Sequence, residues 1–204
     1  MQTEIAPLPG YKINEYLIAL NPHEELREKI LQVKEDFAVK YKTDAARWTK
    51  PQLTLVSFVQ YEMIEERIVN RLRNIGMGQF PFKVELKDFG SFPAHTVFIN
   101  VTTKLPVQAL VKEIRADVQR LLKFNEEHKP HFILEPHLTI GRKLKPWQYE
   151  KSWLEYSNRH FTGRFIADSM VLLKREMGES KYRTVNKFDF QNLPVATRQG
   201  TLFG

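Results

Sequence analysis

Two periods of apolar residues alternate along the chain, one typical of β-strands and one typical of α-helices. Residues 11–20 end in an apolar run that predicts a strand. Residues 21–41 predict a helix with Asn21 as its cap and Pro22 at its first position. One face of this helix is apolar at helical spacing, formed by Leu26, Ile30, Val33, Phe37 and Tyr41.

The rest of the chain repeats these two patterns. Strands and helices mixed in this way predict an α+β fold rather than a doubly wound parallel sheet. We expect one domain over 1–191 and a C-terminal tail over 192–204, where no periodicity is present. The predicted order is β-α-β-α-β-β-α-β-α-β-β, with the later elements over 51–61, 62–76, 80–92, 95–102, 106–124, 132–142, 146–157, 164–176 and 182–192.

A short phrase occurs twice in this order, as PQLTL at 51–55 and as PHLTI at 136–140. Each copy lies in a predicted strand that is followed by a helix and then by two more strands. A phrase repeated in matched contexts indicates an internal duplication. We therefore predict two related lobes, whose strand–helix repeats lie around 50–75 and 134–157.

Each copy of the phrase presents two polar side chains on one face of its strand. Side chains alternate across a strand, so His137 and Thr139 share a face, as do Gln52 and Thr54. Two such strands facing each other across a cleft would form a polar site. Threonine hydroxyls can donate hydrogen bonds to phosphate oxygens, and an imidazole can transfer protons near neutral pH.

The composition narrows the classes of function. Hydrophobic residues make up 42% of the 204 residues, enough for a substantial core, and the net charge of +7 favours anionic partners or simply solubility. The chain has no cysteine, which excludes disulfides, thiolate metal sites and a cysteine nucleophile. The histidines show no metal-ligand spacing. The N-terminus lacks the pattern of a signal peptide and no apolar run could span a membrane, so we expect a cytoplasmic protein.

The motif PHLTIGR and its surroundings resemble the 2H phosphoesterase superfamily, which contains 2′-5′ RNA ligases and 2′,3′-cyclic nucleotide phosphodiesterases. The superfamily carries one His-x-Thr/Ser-x motif in each lobe, and the resemblance covers about residues 11–191. It implies a bilobal α+β fold with two pseudo-symmetric lobes, each with a mainly antiparallel sheet and helices, around a central cleft. It also implies two histidines as general acid and base, two threonines on the phosphate, and no metal or cofactor.

The resemblance carries over residue by residue, with one departure. It implies that His137 is an acid or base and that Thr139 and Thr54 bind phosphate. Gln52 stands where the superfamily has its first histidine, and an amide can hydrogen-bond to phosphate but cannot titrate. Loss of one positioned acid or base typically costs about 10²–10⁴ in rate.

Other residues are candidates for the cleft. Arg142 could reach a phosphate or be a surface charge, and a nucleobase could stack on Phe89, Phe92 or Trp48, although strand phenylalanines are more often core. Residues that could neighbour the cleft are His95, Lys50, Tyr182 and Arg183. His95 fits a surface turn better. The remaining histidines are expected to be solvated, at a helix start or in loops: His23, His128, His131 and His160.

Two functions of different classes fit these residues. One is an enzyme acting on phosphodiester bonds of 2′,3′-cyclic or 2′-5′ linked nucleotides or RNA ends, with activity reduced by Gln52. The other is a non-catalytic nucleotide- or RNA-binding module that uses the same cleft. In either case the expected partner is a nucleotide or RNA phosphate ester, and we expect a monomer without an obligate protein partner.

Overall fold

The computed structural model describes residues 11–43 and 50–193, so Trp48 and most of the predicted tail lie outside the described residues. Within the described ranges there are nine strands and four α-helices, with a single 3₁₀ turn before α2. Their bounds are β1 (Ile13–Leu20), α1 (Glu24–Tyr41), β2 (Leu53–Tyr61), α2 (Glu65–Gly78), β3 (Phe82–Phe92), β4 (Thr96–Val101), α3 (Lys104–Leu122), β5 (His131–Phe132), β6 (His137–Arg142), α4 (Pro146–Tyr156), β7 (Thr162–Ala167), β8 (Ser169–Glu176) and β9 (Arg183–Asp189).

The strands form two antiparallel sheets. Sheet A has the order β5-β2-β1-β8-β9, and sheet B has the order β6-β4-β3-β7. Helices α2 and α3 pack on sheet A, whereas α1 and α4 pack on sheet B. Strands β2 and β6, which carry the two copies of the repeated phrase, contact each other where the two sheets meet. The predicted α+β fold with two lobes and a cleft is confirmed.

The chain changes sheets at two places where the sequence predicts continuous strands. Residues 164–176 were expected to form one strand, but Asp168 separates β7 in sheet B from β8 in sheet A. The Asp168 carbonyl accepts a hydrogen bond from the Phe190 amide at 2.7 Å, which ties this junction to the end of β9. The prediction for residues 132–142 was wrong in the same way, since residues 133–136 cross from β5 in sheet A to β6 in sheet B.

The cap of α1 also differs from the prediction. The helix begins at Glu24, and His23 rather than Asn21 is its cap, because the His23 ring nitrogen Nδ1 accepts a hydrogen bond from the Leu26 amide at 3.3 Å. A side-chain acceptor at this position satisfies one of the free amides of the first turn. The predicted apolar face of α1 is otherwise present, with Phe37 fully buried.

Gly141 allows α1 to pack closely on β6. A Cβ atom added at Gly141 would stand 2.7 Å from Cζ of Phe37, whose ring is fully buried between Tyr41 and Tyr156. We expect Gly141→Ala to lower the free energy of unfolding by about 1–3 kcal/mol, as overpacking of a rigid core does. Urea denaturation measures the effect.

The Phe37→Leu background provides the control for this prediction. A smaller side chain at position 37 leaves room for the new methyl group, so Gly141→Ala should cost less there than in the wild-type protein. An equal cost in both backgrounds would mean that the contact with Phe37 does not explain the effect.

Candidate functional site

The two copies of the repeated phrase share an irregularity of the backbone. Strand β2 leaves Leu55 without a partner on β1, immediately after Thr54. Strand β6 leaves Ile140 without a partner on β4, immediately after Thr139. A β-bulge adds one residue to one strand and redirects the side chains that follow. The duplication seen in the sequence therefore extends to the local geometry of both strands.

The two strands show the predicted alternation between core and cleft. Leu53 and Leu55 of β2 are fully buried, and Leu138 and Ile140 of β6 are almost so. The polar residues between them are half-buried: Gln52, Thr54, His137 and Thr139. Since helices cover the other face of each sheet, Thr54, His137 and Thr139 lie on the uncovered faces, with Gln52 just before β2, and β2 contacts β6 where the sheets meet.

The His137 ring has a defined orientation. Its Nδ1 atom lies 2.7 Å from the carbonyl oxygen of Glu135, and because a carbonyl can only accept, Nδ1–H is the donor. The ring is also held by two aromatic contacts, with centroid distances of 4.9 Å to Phe92 and 5.0 Å to Phe98. In the neutral imidazole this tautomer leaves the lone pair of Nε2 available to accept a proton.

The surroundings of His137 favour its neutral form. Burial lowers the pKa of His137 below its ordinary value of 6.5, and the carbonyl and carboxylate of Glu135 oppose this shift without cancelling it. The nearby charge of His131 acts in the same direction as burial. At pH 7 the His137 imidazole is therefore mainly unprotonated and suited to act as a general base.

A cavity of about 560 Å³ opens beside His137. Two aromatic rings, the Asn100 amide and a Lys104–Glu135 ion pair of 3.0 Å are part of its lining. Gly90 makes room beneath it, since an added Cβ would stand 2.5 Å from both the Phe98 ring and Asn100 Oδ1. Its lining consists of Lys87, Asp88, Phe92, Phe98, Asn100, Val101, Thr102, Lys104, Glu135, Pro136 and His137.

The two phenylalanines of β3 that were proposed to stack on a nucleobase lie on different faces of sheet B. Phe92 lines the cavity and contacts His137. Phe89 does not, because it is buried on the opposite face of sheet B, edge-on to Tyr156 at 4.9 Å and to Phe161 at 6.0 Å. The candidate role of Phe89 as a substrate contact is corrected to one in the core, since β3 pairs regularly from Phe89 to Phe92 and residues three apart on a regular strand point to opposite faces.

Arg142 extends the site at the far end of β6. It is exposed and pairs with Thr96 of β4, on the cleft face beyond the bulge. Its charge reaches across to Tyr182 of the other lobe, whose pKa burial raises to about 12, with Arg175 and Arg142 opposing the shift and Glu15 adding to it. Because the Tyr182 hydroxyl also donates to Glu15 at 3.2 Å, Tyr182 does not act as a proton carrier near neutral pH.

The three other residues that the sequence suggested as neighbours of the cleft do not contact His137. His95 lies in the β3–β4 turn, as expected, with Nδ1 at 2.7 Å from the Thr96 hydroxyl. Lys50 is exposed before β2, and Arg183 is exposed at the start of β9, where it pairs with Lys174 at the far edge of sheet A.

His131 was missed by the sequence reasoning, which placed it in a loop. It is a residue of β5 and pairs with Ser57 of β2. The sequence feature that could have indicated this strand is the short apolar run at residues 132–134, directly after His131, which is typical of a strand.

Over residues 11–43 and 50–193, no group of three or more His, Cys, Asp or Glu side chains is arranged to hold a metal ion. In the same part of the chain, no helix is long and apolar enough to cross a membrane.

Comparisons with known proteins identify one sequence family and several solved structures of similar fold. The family model of the 2′-5′ RNA ligase superfamily matches residues 20–179. None of the curated protein sequences matches significantly. Among solved structures, a phosphoesterase is similar with 16% identity and a TM-score of 0.65, covering 87% of this chain and 98% of its own.

Two further structures cover the same shares of the chains. A Thermus thermophilus protein has 17% identity and a TM-score of 0.63, and Escherichia coli LigT has 15% and 0.62. LigT has also been solved with phosphate and with 3′-AMP. At these identities the likeness concerns the fold.

Proposed function

Because the chain belongs to the 2′-5′ RNA ligase superfamily, a group of 2H phosphoesterases, we propose that it acts on phosphodiester bonds of 2′,3′-cyclic or 2′-5′ linked nucleotides or RNA ends. The observation that carries this proposal is the state of His137, an oriented neutral imidazole whose Nε2 is available beside a cavity. This is the arrangement that a general base requires.

In the proposed reaction His137 activates a water molecule. Nε2 takes a proton from the water, the water oxygen bonds to phosphorus, and the bond from phosphorus to the 2′ or 3′ oxygen breaks. The leaving oxygen needs a proton, which Gln52 cannot supply. We assign Thr54, Thr139 and the Gln52 amide to the phosphate oxygens, because hydrogen bonds from fixed donors stabilise the charge that develops there.

The cavity beside His137 suits the nucleoside part of such a substrate. A volume of about 560 Å³ lies within the range of small-molecule sites. Phe92 and Phe98 offer aromatic faces to a base, and Asn100 and Thr102 offer polar groups. The net charge of +7 favours an anionic substrate, with Arg142 as a further contact for phosphate. The nucleotide found in LigT supports this class of ligand.

Hydrolysis of nucleoside 2′,3′-cyclic phosphates tests the proposal. The four common bases should be compared, and the product identified as a 2′- or a 3′-phosphate by chromatography against standards. We expect turnover without added metal. No product from any of the cyclic phosphates or from 2′-5′ linked dinucleotides would overturn the proposal.

The pH dependence of this activity should reflect the lowered pKa of His137. The base is active when unprotonated, so kcat/KM should rise with pH over the range in which His137 loses its proton. The inflection is expected below 6.5, the ordinary value, because burial disfavours the charged ring. A pH–rate profile measures it, and a rising limb with its inflection above pH 7 would contradict the assignment.

Gln52 supports a second candidate function, a module that binds nucleotides or RNA ends without turnover. In that case calorimetry would show saturable binding of 3′-AMP, and cyclic phosphates would remain intact. A large gain of hydrolysis in Gln52→His would then show that the cleft lacks only its second proton carrier.

A further inference from the structure

His131 stands on the wall of the cleft that also carries Gln52 and Thr54. Strand β5 pairs with β2 so that His131 is opposite Ser57 and Phe132 opposite Val56. The Ile133 amide extends this pairing with a hydrogen bond of 2.9 Å to the Leu55 carbonyl. The short strand is therefore held in register along β2.

The face of sheet A to which His131 belongs follows from its neighbours. Val56 is fully buried, and Phe132 packs against the same core, with the Arg115 guanidinium of α3 lying 5.7 Å from its ring centre. Successive side chains of a strand point to opposite faces. His131 therefore points away from the helices and into the cleft, beside half-buried Ser57 and with its own side chain exposed.

His131 is also close to His137. The bulge at Leu55 makes Thr54 and Ser57 successive residues on the cleft face of β2, so His131, opposite Ser57, is one cleft-face position from the proposed phosphate ligand Thr54. The chain then crosses to the other sheet within residues 133–136 and places His137 on the facing strand. The charge of His131 is close enough to lower the pKa of His137.

We propose that His131 is the second proton carrier of the site, supplied by β5 in place of the histidine that the superfamily resemblance implies at the position of Gln52, just before β2. The proposal rests on the proposed phosphodiesterase function. His137 Nε2 takes the proton of the attacking water, and the His131 imidazolium donates a proton to the 2′ or 3′ oxygen as its bond to phosphorus breaks. One imidazole gains a proton and the other loses one, and exchange with solvent restores both.

His131→Gln tests the proposal, with a nucleoside 2′,3′-cyclic phosphate as substrate. We expect kcat to fall by about 10²–10⁴, the usual contribution of a positioned acid or base. His128→Gln is the matched control, since His128 contacts Phe124 and Asn125 outside the cleft, and it should leave kcat unchanged. Thermal unfolding establishes that each variant is folded.

A second pair of variants separates proton transfer from a structural role. Adding Gln52→His to His131→Gln should restore most of the lost rate, because an imidazole then returns to the neighbouring strand. Gln52→His alone should give little gain, because the wild-type site already has two imidazoles. A loss that Gln52→His does not reverse, or a large gain from Gln52→His alone, would overturn the proposal.

The outcomes also separate this inference from the proposed function. If His131→Gln keeps the wild-type rate while the wild-type protein hydrolyses the cyclic phosphate, the role of His131 is overturned and the phosphodiesterase function stands. If the wild-type protein forms no product, the proposed function and the role of His131 fail together.

Discussion

His137→Gln is expected to lower kcat for a nucleoside 2′,3′-cyclic phosphate by about 10²–10⁴, because it removes the proposed general base. Glutamine is the appropriate replacement, since its amide can donate to the Glu135 carbonyl that Nδ1 now contacts at 2.7 Å. It also gives both repeats the same residue, as Gln52 stands at the matching position immediately before β2. The measurement is steady-state hydrolysis of the cyclic phosphate with product quantified.

Product binding and a control variant test whether the effect of His137→Gln is specific to catalysis. Binding of the nucleotide product should change little, because the cavity that flanks His137 keeps its aromatic lining. His128→Gln is the matched control, because that ring contacts Phe124 and Asn125 outside the cleft. If His137→Gln retained the wild-type kcat, His137 would not be the base, and the proposed mechanism would be wrong.

Thr54→Val and Thr139→Val are expected to have similar effects on hydrolysis. Each removes a hydroxyl proposed to bind phosphate and keeps the β-branched shape of the strand residue. A hydrogen bond to a charged group is worth roughly 1.5–3 kcal/mol, so each change should lower kcat/KM by about 10–100-fold. The similarity is expected because both threonines directly precede a bulge, at Leu55 and at Ile140.

Thr184→Val is the control for this pair. Thr184 is an exposed threonine of β9, at the edge of sheet A opposite to β5, and its replacement should not change kcat/KM. The double variant should lose less than the product of the two single effects if both hydroxyls bind one phosphate group, because contacts to a shared group are coupled. Single variants with the activity of the wild-type protein would exclude the threonines from the site.

Much of the fold could be predicted because its signals are local. Apolar residues at helical spacing identified all four helices of the described chain, to within a few residues at each end. The alternation of Leu53 and Leu138 with polar neighbours identified the core and cleft faces of β2 and β6. The duplication identified the two lobes, because the same short phrase occupies the same kind of strand in each.

The predictions from sequence were wrong where the sheet or face that a residue joins depends on strands that are distant in the sequence. Residues 164–176 have the composition of one long strand, yet Asp168 divides them between two sheets. Strict alternation would put Leu86 and Phe89 on opposite faces, but a bulge in β3 between them places both in the core. Neither composition nor periodicity distinguishes such residues, because the hydrogen-bonded neighbour sets the register.

For the site, the sequence by itself determined the identity of the repeated residues: His137, the two threonines, and Gln52 where a histidine was expected. Side-chain alternation is a property of any extended strand, so the shared faces required no knowledge of the fold, whereas the histidine expected at position 52 is what the superfamily resemblance implies. Only the tertiary structure decided how His137 is oriented and what surrounds it, because desolvation and the contact with Glu135 depend on packing. It also decided the place of His131, since a two-residue strand is too short to show a period and is held only by its pairing with β2.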